Sequence, residues 1–107
     1  MSQVVNLDQH SRALAEQARD SHAGRASKSL VHGEHQRAVL IAMRSGASLH
    51  EHETPVAATL HVLSGACTLR AGEQQWHLQP GELVEIPHER HAVDATSDSV
   101  VLLTVTI

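Results

Sequence analysis

Apolar and polar residues alternate with a period of two along most of the chain after residue 27. Because successive side chains of a strand point to opposite faces, this period predicts β-strands. Turn residues such as Ser45-Gly46 and Pro80-Gly81 separate the alternating runs. Nine strands are predicted: Lys28–His32, Arg37–Met43, Leu49–His52, Val56–Leu63, Cys67–Arg70, Gln75–Gln79, Glu82–Ile86, His91–Ala95 and Val100–Ile107. Nine short strands with regular turns favour an all-β sandwich or barrel.

The first 27 residues have a different pattern. Asn6, followed three residues later by Gln9, is typical of a helix N-terminus, and good helix formers continue to Arg19. A helix is therefore predicted over residues 7–20, with a thin apolar face that we expect to pack weakly on the barrel or on a partner subunit. The polar stretch from Ser21 to Ser29 predicts a linker. The chain thus divides into a helical arm with its linker, residues 1–27, and one β-domain, residues 28–107.

The last predicted strand, Val100–Ile107, is apolar on both faces. A lone edge strand of this composition would expose apolar side chains and unpaired backbone N–H and C=O groups to water, which favours aggregation. We therefore expect it to be covered, either inside the sheet or at a subunit contact, and a homodimer is the predicted oligomer.

Composition excludes several classes of function. The net charge is −4 with neutral histidines, and the eight Lys and Arg residues are scattered, so a nucleic-acid partner is not expected. The N-terminus lacks the pattern of a signal peptide, and no apolar run approaches the roughly 18–20 residues that span a bilayer. We expect a cytoplasmic protein without a membrane partner. Trp76 is the only aromatic residue, which disfavours ring-stacking recognition of flat ligands.

Two blocks of the sequence carry the candidate chemistry. The first runs from Gly46 through His50-Glu-His52 to Gly65, and alternation along a strand places His50 and His52 on one face. The second, from Gly81 to His91, contains a Pro-Gly turn, a short apolar strand and a second turn that delivers His91. Together the blocks resemble the paired motifs of the cupin superfamily. Over roughly residues 30–107, this resemblance implies a jelly-roll β-barrel.

The chain departs from the cupin pattern at two points. Where cupins usually place a metal-binding Glu, four or five residues after the second His, this chain has Val56 and Ala57. In the second block the glycine after Pro87 is absent, and His91 comes one residue early. The resemblance implies a divalent metal, Fe, Zn, Ni or Mn, held by His50, His52 and His91, with a small polar or anionic ligand in the barrel mouth.

Alternatives stay open at this point. The three histidines could instead line a polar pocket without metal, in which case the chain would be a non-enzymatic binding or sensing module. His61 is a candidate fourth ligand or acid/base group, because the alignment would point it into the barrel. Glu85 is a candidate substitute for the missing carboxylate. Whether the protein is an enzyme is left undecided.

The remaining candidates have structural interpretations. Cys67 is predicted to be a buried, inert thiol and Trp76 a core residue. We expect His77 and His88 at the surface or rim, and four further histidines in solvent: His10, His22, His32 and His35.

Overall fold

The protein is described here by a computed structural model. The structure describes residues 2–52 and 57–107, without the side chains of residues 51 and 52. The start of the predicted strand at Val56 lies outside the described residues.

Helix α1 spans Leu7–Asp20, as predicted. Asn6 caps it, because its Oδ1 accepts a hydrogen bond from the backbone N–H of Gln9 at 2.9 Å. Nine strands follow within the described residues: β1 Arg25–His32, β2 Gln36–Met43, β3 Ser48–His52, β4 Ala58–Ser64, β5 Cys67–Ala71, β6 Gln74–Leu78, β7 Leu83–Glu85, β8 His91–Ala95 and β9 Ser99–Thr106. None of the helical structure in this part of the chain has the length and hydropathy needed to cross a membrane.

The described strands form two antiparallel sheets that face each other. The five-stranded sheet has the order β1-β2-β9-β4-β7, and the four-stranded sheet has the order β3-β8-β5-β6. Strand β9 lies between β2 and β4, which confirms that the apolar C-terminal strand is covered inside the sheet. The predicted all-β, jelly-roll fold with a short N-terminal helix is therefore confirmed.

The main core fills the space between the sheets. Alternate residues of the central strands contribute to it, among them Leu60, Leu69, Val93 and Val101. Cys67 is buried here and Trp76 packs against the cluster, as expected for both. Burial raises the pKa of the Cys67 thiol to about 11, so the thiolate is a minor species at neutral pH.

A second, smaller core lies outside the five-stranded sheet. Leu14 and Ala18 of α1 pack against outward-facing residues of β2 and β9, including Leu40, Ala42 and Val100. Of the two predicted locations for the helix, the barrel surface is the one observed.

Strand β1 begins earlier than predicted. Residues 25–29, which were expected to form part of a linker, pair with β2, Arg25 lying opposite Met43 and Ser29 opposite Val39. The polar composition of this segment concealed the strand, because β1 is an edge strand and most of its residues are exposed. The predicted boundary between residues 27 and 28 consequently falls inside β1.

Candidate functional site

Among the predicted site residues whose side chains the structure describes, His91 is buried on the interior face of the barrel. It is the first residue of β8 and only 2% exposed, on the same face as the core residue Val93. Its Nδ1 lies 3.0 Å from the carbonyl oxygen of Glu89. Because a carbonyl can only accept, Nδ1 donates this bond.

The turn before β8 is held against a neighbouring turn. Gly72, in the turn between β5 and β6, has a φ of +58°, and a Cβ there would lie 3.1 Å from Oε1 of Glu89. A side chain at residue 72 would therefore press on Glu89, the residue whose carbonyl orients His91. The glycine both relieves backbone strain and makes room for this contact.

Strand β3 pairs with β8 and brings the two sequence blocks together. The Cα atoms of His52 and His91 are partners across the two strands, a relation that puts Cα atoms about 4.5–5.5 Å apart in antiparallel pairs. Residues from both candidate blocks thus meet at one end of the barrel. The side chain of His52 lies outside the described residues, so its direction is not part of this finding.

His50 differs from the expectation derived from strict alternation. Leu49 is the partner of Val93, and His52 is the partner of His91. Two residues of β3 therefore lie between these pairs, opposite one residue of β8. This register shift interrupts the alternation assumed for His50 and His52. The side chain of His50 is exposed. The metal set of His50, His52 and His91 therefore stays a prediction that alternation alone does not support.

His61 does not face the interior, so the expectation that it points into the barrel is wrong. The interior face of β4 consists of Ala58, Leu60 and Val62, which are buried in the main core. His61 has the opposite parity and pairs with Leu102 of β9, whose side chain packs on the outer, helix-covered core. The apolar character of Leu60 and Val62 was the sequence signal for this orientation.

Glu85 is also on the outer side. It pairs with Thr59, which shares the face of His61, and its side chain is exposed. It therefore does not replace the missing carboxylate inside the barrel. Val56, one of the two positions that cupins fill with Glu, lies outside the described residues, and Ala57 supplies no ligand atom from its side chain.

A polar row crosses the outer face of the four-stranded sheet. Asp94 accepts hydrogen bonds from both the Arg70 guanidinium and the Ser48 hydroxyl, the latter at 2.7 Å. The Arg70 hydrogen bond is the first cause that holds the pKa of Asp94 below its usual value. Next to it, Thr68 Oγ1 and His77 Nδ1 are 2.9 Å apart. The Arg70 guanidinium therefore lies on the outer face of the sheet, where it binds Asp94.

Within the described residues, no group of three or more His, Cys, Asp or Glu side chains forms a metal-binding cluster. The side chain of His52 is not among the described residues. His88 is exposed, as expected, and so are His22, His32, His35 and His77, while His10 is partly buried.

A cupin domain model matches residues 39–107, which is more than half of the chain and includes both candidate blocks. The chain belongs to the cupin domain family. The match explains why β3 and β8, which carry the two blocks of this cupin, are neighbours in one sheet.

Solved structures resemble this cupin over most of its length. A conserved protein of unknown function from Streptococcus pyogenes has a TM-score of 0.78 at 19% identity, covering 99% of this chain and 88% of that one. A cupin-2 domain protein from Shewanella frigidimarina has a TM-score of 0.77 at 16% identity, covering 97% and 95%. The DMSP lyase DddQ from Ruegeria pomeroyi has a TM-score of 0.69 at 20% identity, covering 78% and 47%. At these identities the likeness concerns the fold alone. A search of curated proteins finds no match.

Proposed function

We propose that this cupin binds a divalent metal ion through His50, His52 and His91, together with a small polar or anionic ligand, at the end of the barrel where β8 begins. The observation that carries the proposal is the hydrogen bond between the His91 ring and the backbone carbonyl of Glu89. A histidine ligand typically donates its second ring N–H to a backbone carbonyl or carboxylate, which fixes the tautomer and turns the other nitrogen toward the ion. The bond from His91 Nδ1 to Glu89 has this form.

The donor set agrees with a borderline metal. Imidazole nitrogen suits Fe, Zn and Ni, and three neutral ligands leave the full +2 charge on the ion. That charge favours an anionic ligand, which is why a small anion is the proposed companion. When bound, such an ion supplies Lewis-acid polarisation of the ligand.

The described residues around His91 support a site at this position. Val93 continues the inner face of β8 from His91 into the apolar core. Ala71, whose side chain carries no polar group, is the partner of His91 on β5. The DMSP lyase is similar to this chain in fold alone, so we propose binding and no reaction.

A metal-free binding or sensing module is the second candidate function. The replacement of the usual Glu by Val56 and Ala57 favours it, as does the outward placement of His61 and Glu85. In this case His91 is a hydrogen-bonded polar residue at the floor of a ligand pocket. Homodimerisation and a cytoplasmic location stay predictions under both candidates.

Metal content separates the two candidates. Purified, tag-free protein is offered Fe(II), Ni(II), Zn(II) or Mn(II) in turn, desalted and measured by elemental analysis. We expect about one equivalent of the preferred metal, falling below about a tenth in His52→Ala and His91→Ala. Circular dichroism establishes that each variant is folded.

His88→Ala is the matched control, because His88 lies in the turn that precedes His91 and is exposed. It should keep the metal content of the unmodified protein. Metal retained in folded His91→Ala would contradict the proposed centre. If none of the four metals exceeds about a tenth of an equivalent in the unmodified protein, the metal-free candidate replaces it.

A further inference from the structure

A cavity of about 310 Å³ opens on the side of the barrel, between β1, β2 and β3. Arg25, Ala26, Ser27, Val39, Ile41 and Leu49 line it. It lies between β1, an edge strand of the five-stranded sheet, and β3, an edge strand of the facing sheet. The volume is at the lower end of the range for small-molecule sites, roughly 300–1,000 Å³.

One wall of the cavity is apolar and the other is cationic. Val39, Ile41 and Leu49 all pack against the main core, so the apolar wall is built on rigid strands. Across from it, Arg25 and Ser27 occupy the inward positions of β1, opposite Met43 and Ile41 in the strand register. The facing positions of the neighbouring strand β2, Ile41 and Met43, are apolar, whereas this pair on β1 is polar.

The guanidinium of Arg25 is held in place by a hydrogen bond to the backbone. Its Nη1 donates a hydrogen bond of 2.6 Å to the carbonyl oxygen of Ser48, which ties β1 of one sheet to β3 of the other. Among the residues that the structure describes, Arg25 forms no ion pair. The carboxylate that contacts the Ser48 hydroxyl belongs to Asp94, which is engaged by Arg70. Strand β1 itself contains Arg25 and Lys28 and no acidic residue.

We propose that this side cavity binds a small organic carboxylate with a branched aliphatic body. The carboxylate accepts hydrogen bonds from the Arg25 guanidinium and lies beside the Ser27 hydroxyl, while the aliphatic part covers Val39, Ile41 and Leu49. A fixed guanidinium recognises a carboxylate through charge-assisted bonds, and the apolar wall selects against fully hydrated anions. The site is independent of the metal centre proposed above, because it is formed by β1, β2 and Leu49 and by none of its three histidines.

The test uses isovalerate as the probe and the full chain in the presence of EDTA, so that no metal contributes. Two-dimensional NMR of labelled protein follows the amides of β1, β2 and Leu49 during titration. We expect saturable shifts in these amides with a Kd in the millimolar range, about 1–10 mM for a ligand of this size. Isoamyl alcohol, which has the same aliphatic body without the charge, should bind at least about tenfold more weakly.

Three variants locate the site. Arg25→Gln should weaken isovalerate binding at least about tenfold, because it removes the charge-assisted bonds. Ser27→Asp should abolish the shifts by adding a negative charge at an exposed position, which keeps the test decisive if Arg25→Gln does not fold. Lys28→Gln is the matched control: Lys28 is on the same strand, opposite Leu40 of the outer core, and should leave binding unchanged.

Several outcomes would overturn the proposal. These are the absence of shifts up to about 50 mM isovalerate, equal binding of isoamyl alcohol, or equal losses in Ser27→Asp and Lys28→Gln. Shifts of the cavity amides that depend on protein concentration rather than on isovalerate, with a dimer by light scattering, would assign the cavity to a second copy instead. A negative metal analysis leaves the isovalerate result unaffected, so the two proposals fail separately.

Discussion

The outer faces of the two sheets differ in what covers them. The five-stranded sheet is covered by α1, and the residues beneath the helix, Leu40, Ala42 and Val100, are apolar. The outer face of the four-stranded sheet has no helix in the described part of the chain, and it carries the hydrogen-bonded row that contains Asp94 and Thr68.

This difference can be read in the burial of single strands. Residues 40–43 of β2 are buried on both faces, because one face meets the main core and the other meets α1. In β8, by contrast, Asp94 interrupts the buried residues and is paired with Arg70. The four consecutive buried residues of β2 therefore reflect its two covering layers, whereas the partly exposed Asp94 of β8 lies on a face that no described helix covers.

The largest expected effect concerns the helix-covered face. Leu14 is 3% exposed and packs on the outer core, so Leu14→Ala should lower the free energy of unfolding by about 2–4 kcal/mol. Urea unfolding followed by circular dichroism measures the change. Gln17→Ala, an exposed position on the same helix, is the control and should change stability little. A loss below about 0.5 kcal/mol for Leu14→Ala would show that α1 is not a firm cover.

The cap of the same helix should have a smaller effect. Asn6→Ala removes the acceptor for the backbone N–H of Gln9 and should cost about 1 kcal/mol. Thermal unfolding checks this value, and Asn6→Asp is the control because its carboxylate also accepts the bond. An Asn6→Ala variant as stable as the unmodified chain would mean that the first turn contributes little to the cover.

The ion pair on the uncovered face should contribute less again. The side chains of Asp94 and Arg70 are 31% and 42% exposed, so solvent screens their attraction and Asp94→Asn should cost about 0.5–1 kcal/mol. Urea unfolding at neutral pH measures it, with Glu73→Gln, an exposed carboxylate in a turn, as the control. A cost above about 3 kcal/mol would show that this face behaves like a buried network.

The same pair predicts a pH dependence of stability. The folded-state pKa of Asp94 lies below its ordinary value of 3.8, so its contribution is present above that value and is lost as pH falls through the lowered pKa. Unfolding curves between neutral pH and pH below 3.8 should show the difference between the unmodified chain and Asp94→Asn shrinking toward the acid end. A difference that grows in acid would contradict the direction of the shift.

The smallest effect is expected for Thr68, whose hydroxyl meets His77 Nδ1 at 2.9 Å. Thr68→Val keeps the shape, and exposed His77 can bond to water, so stability should change by less than about 0.5 kcal/mol. Thr68→Ala, which also removes a methyl group, separates packing from hydrogen bonding. A loss above about 1.5 kcal/mol in Thr68→Val would mean that the polar row acts cooperatively, and the contrast between the two faces would then need revision.

Much of the fold could be predicted from local patterns. The limits of α1 follow from the Asn6 cap and the run of helix formers, and the nine strands follow from alternation or from apolar runs between turn residues. The start of β1 could not be predicted in this way, since Arg25, Ser27 and Lys28 resemble linker residues and pair with β2 only in the folded chain.

The candidate site was predicted less completely. The two motif blocks indicated His91 and His52, and β3 and β8 are indeed neighbours with these residues as partners. The resemblance to cupins predicted an inward His61. In the structure the apolar neighbours Leu60 and Val62 occupy the interior positions of β4, so His61 lies on the opposite face. Arg25 was missed altogether, because nothing local distinguishes an inward arginine on an edge strand from an exposed one.

By itself, then, the sequence determined where the helix and strands lie and which residue types each one carries, because these depend on periodicity and capping between near neighbours. The tertiary structure decided which face of each strand is interior and where a register shift in β3 interrupts alternation. It also decided that the Arg25 guanidinium of one sheet donates a hydrogen bond to Ser48 of the other. A period of two reads the same for either face. Only pairing between distant strands removes that ambiguity.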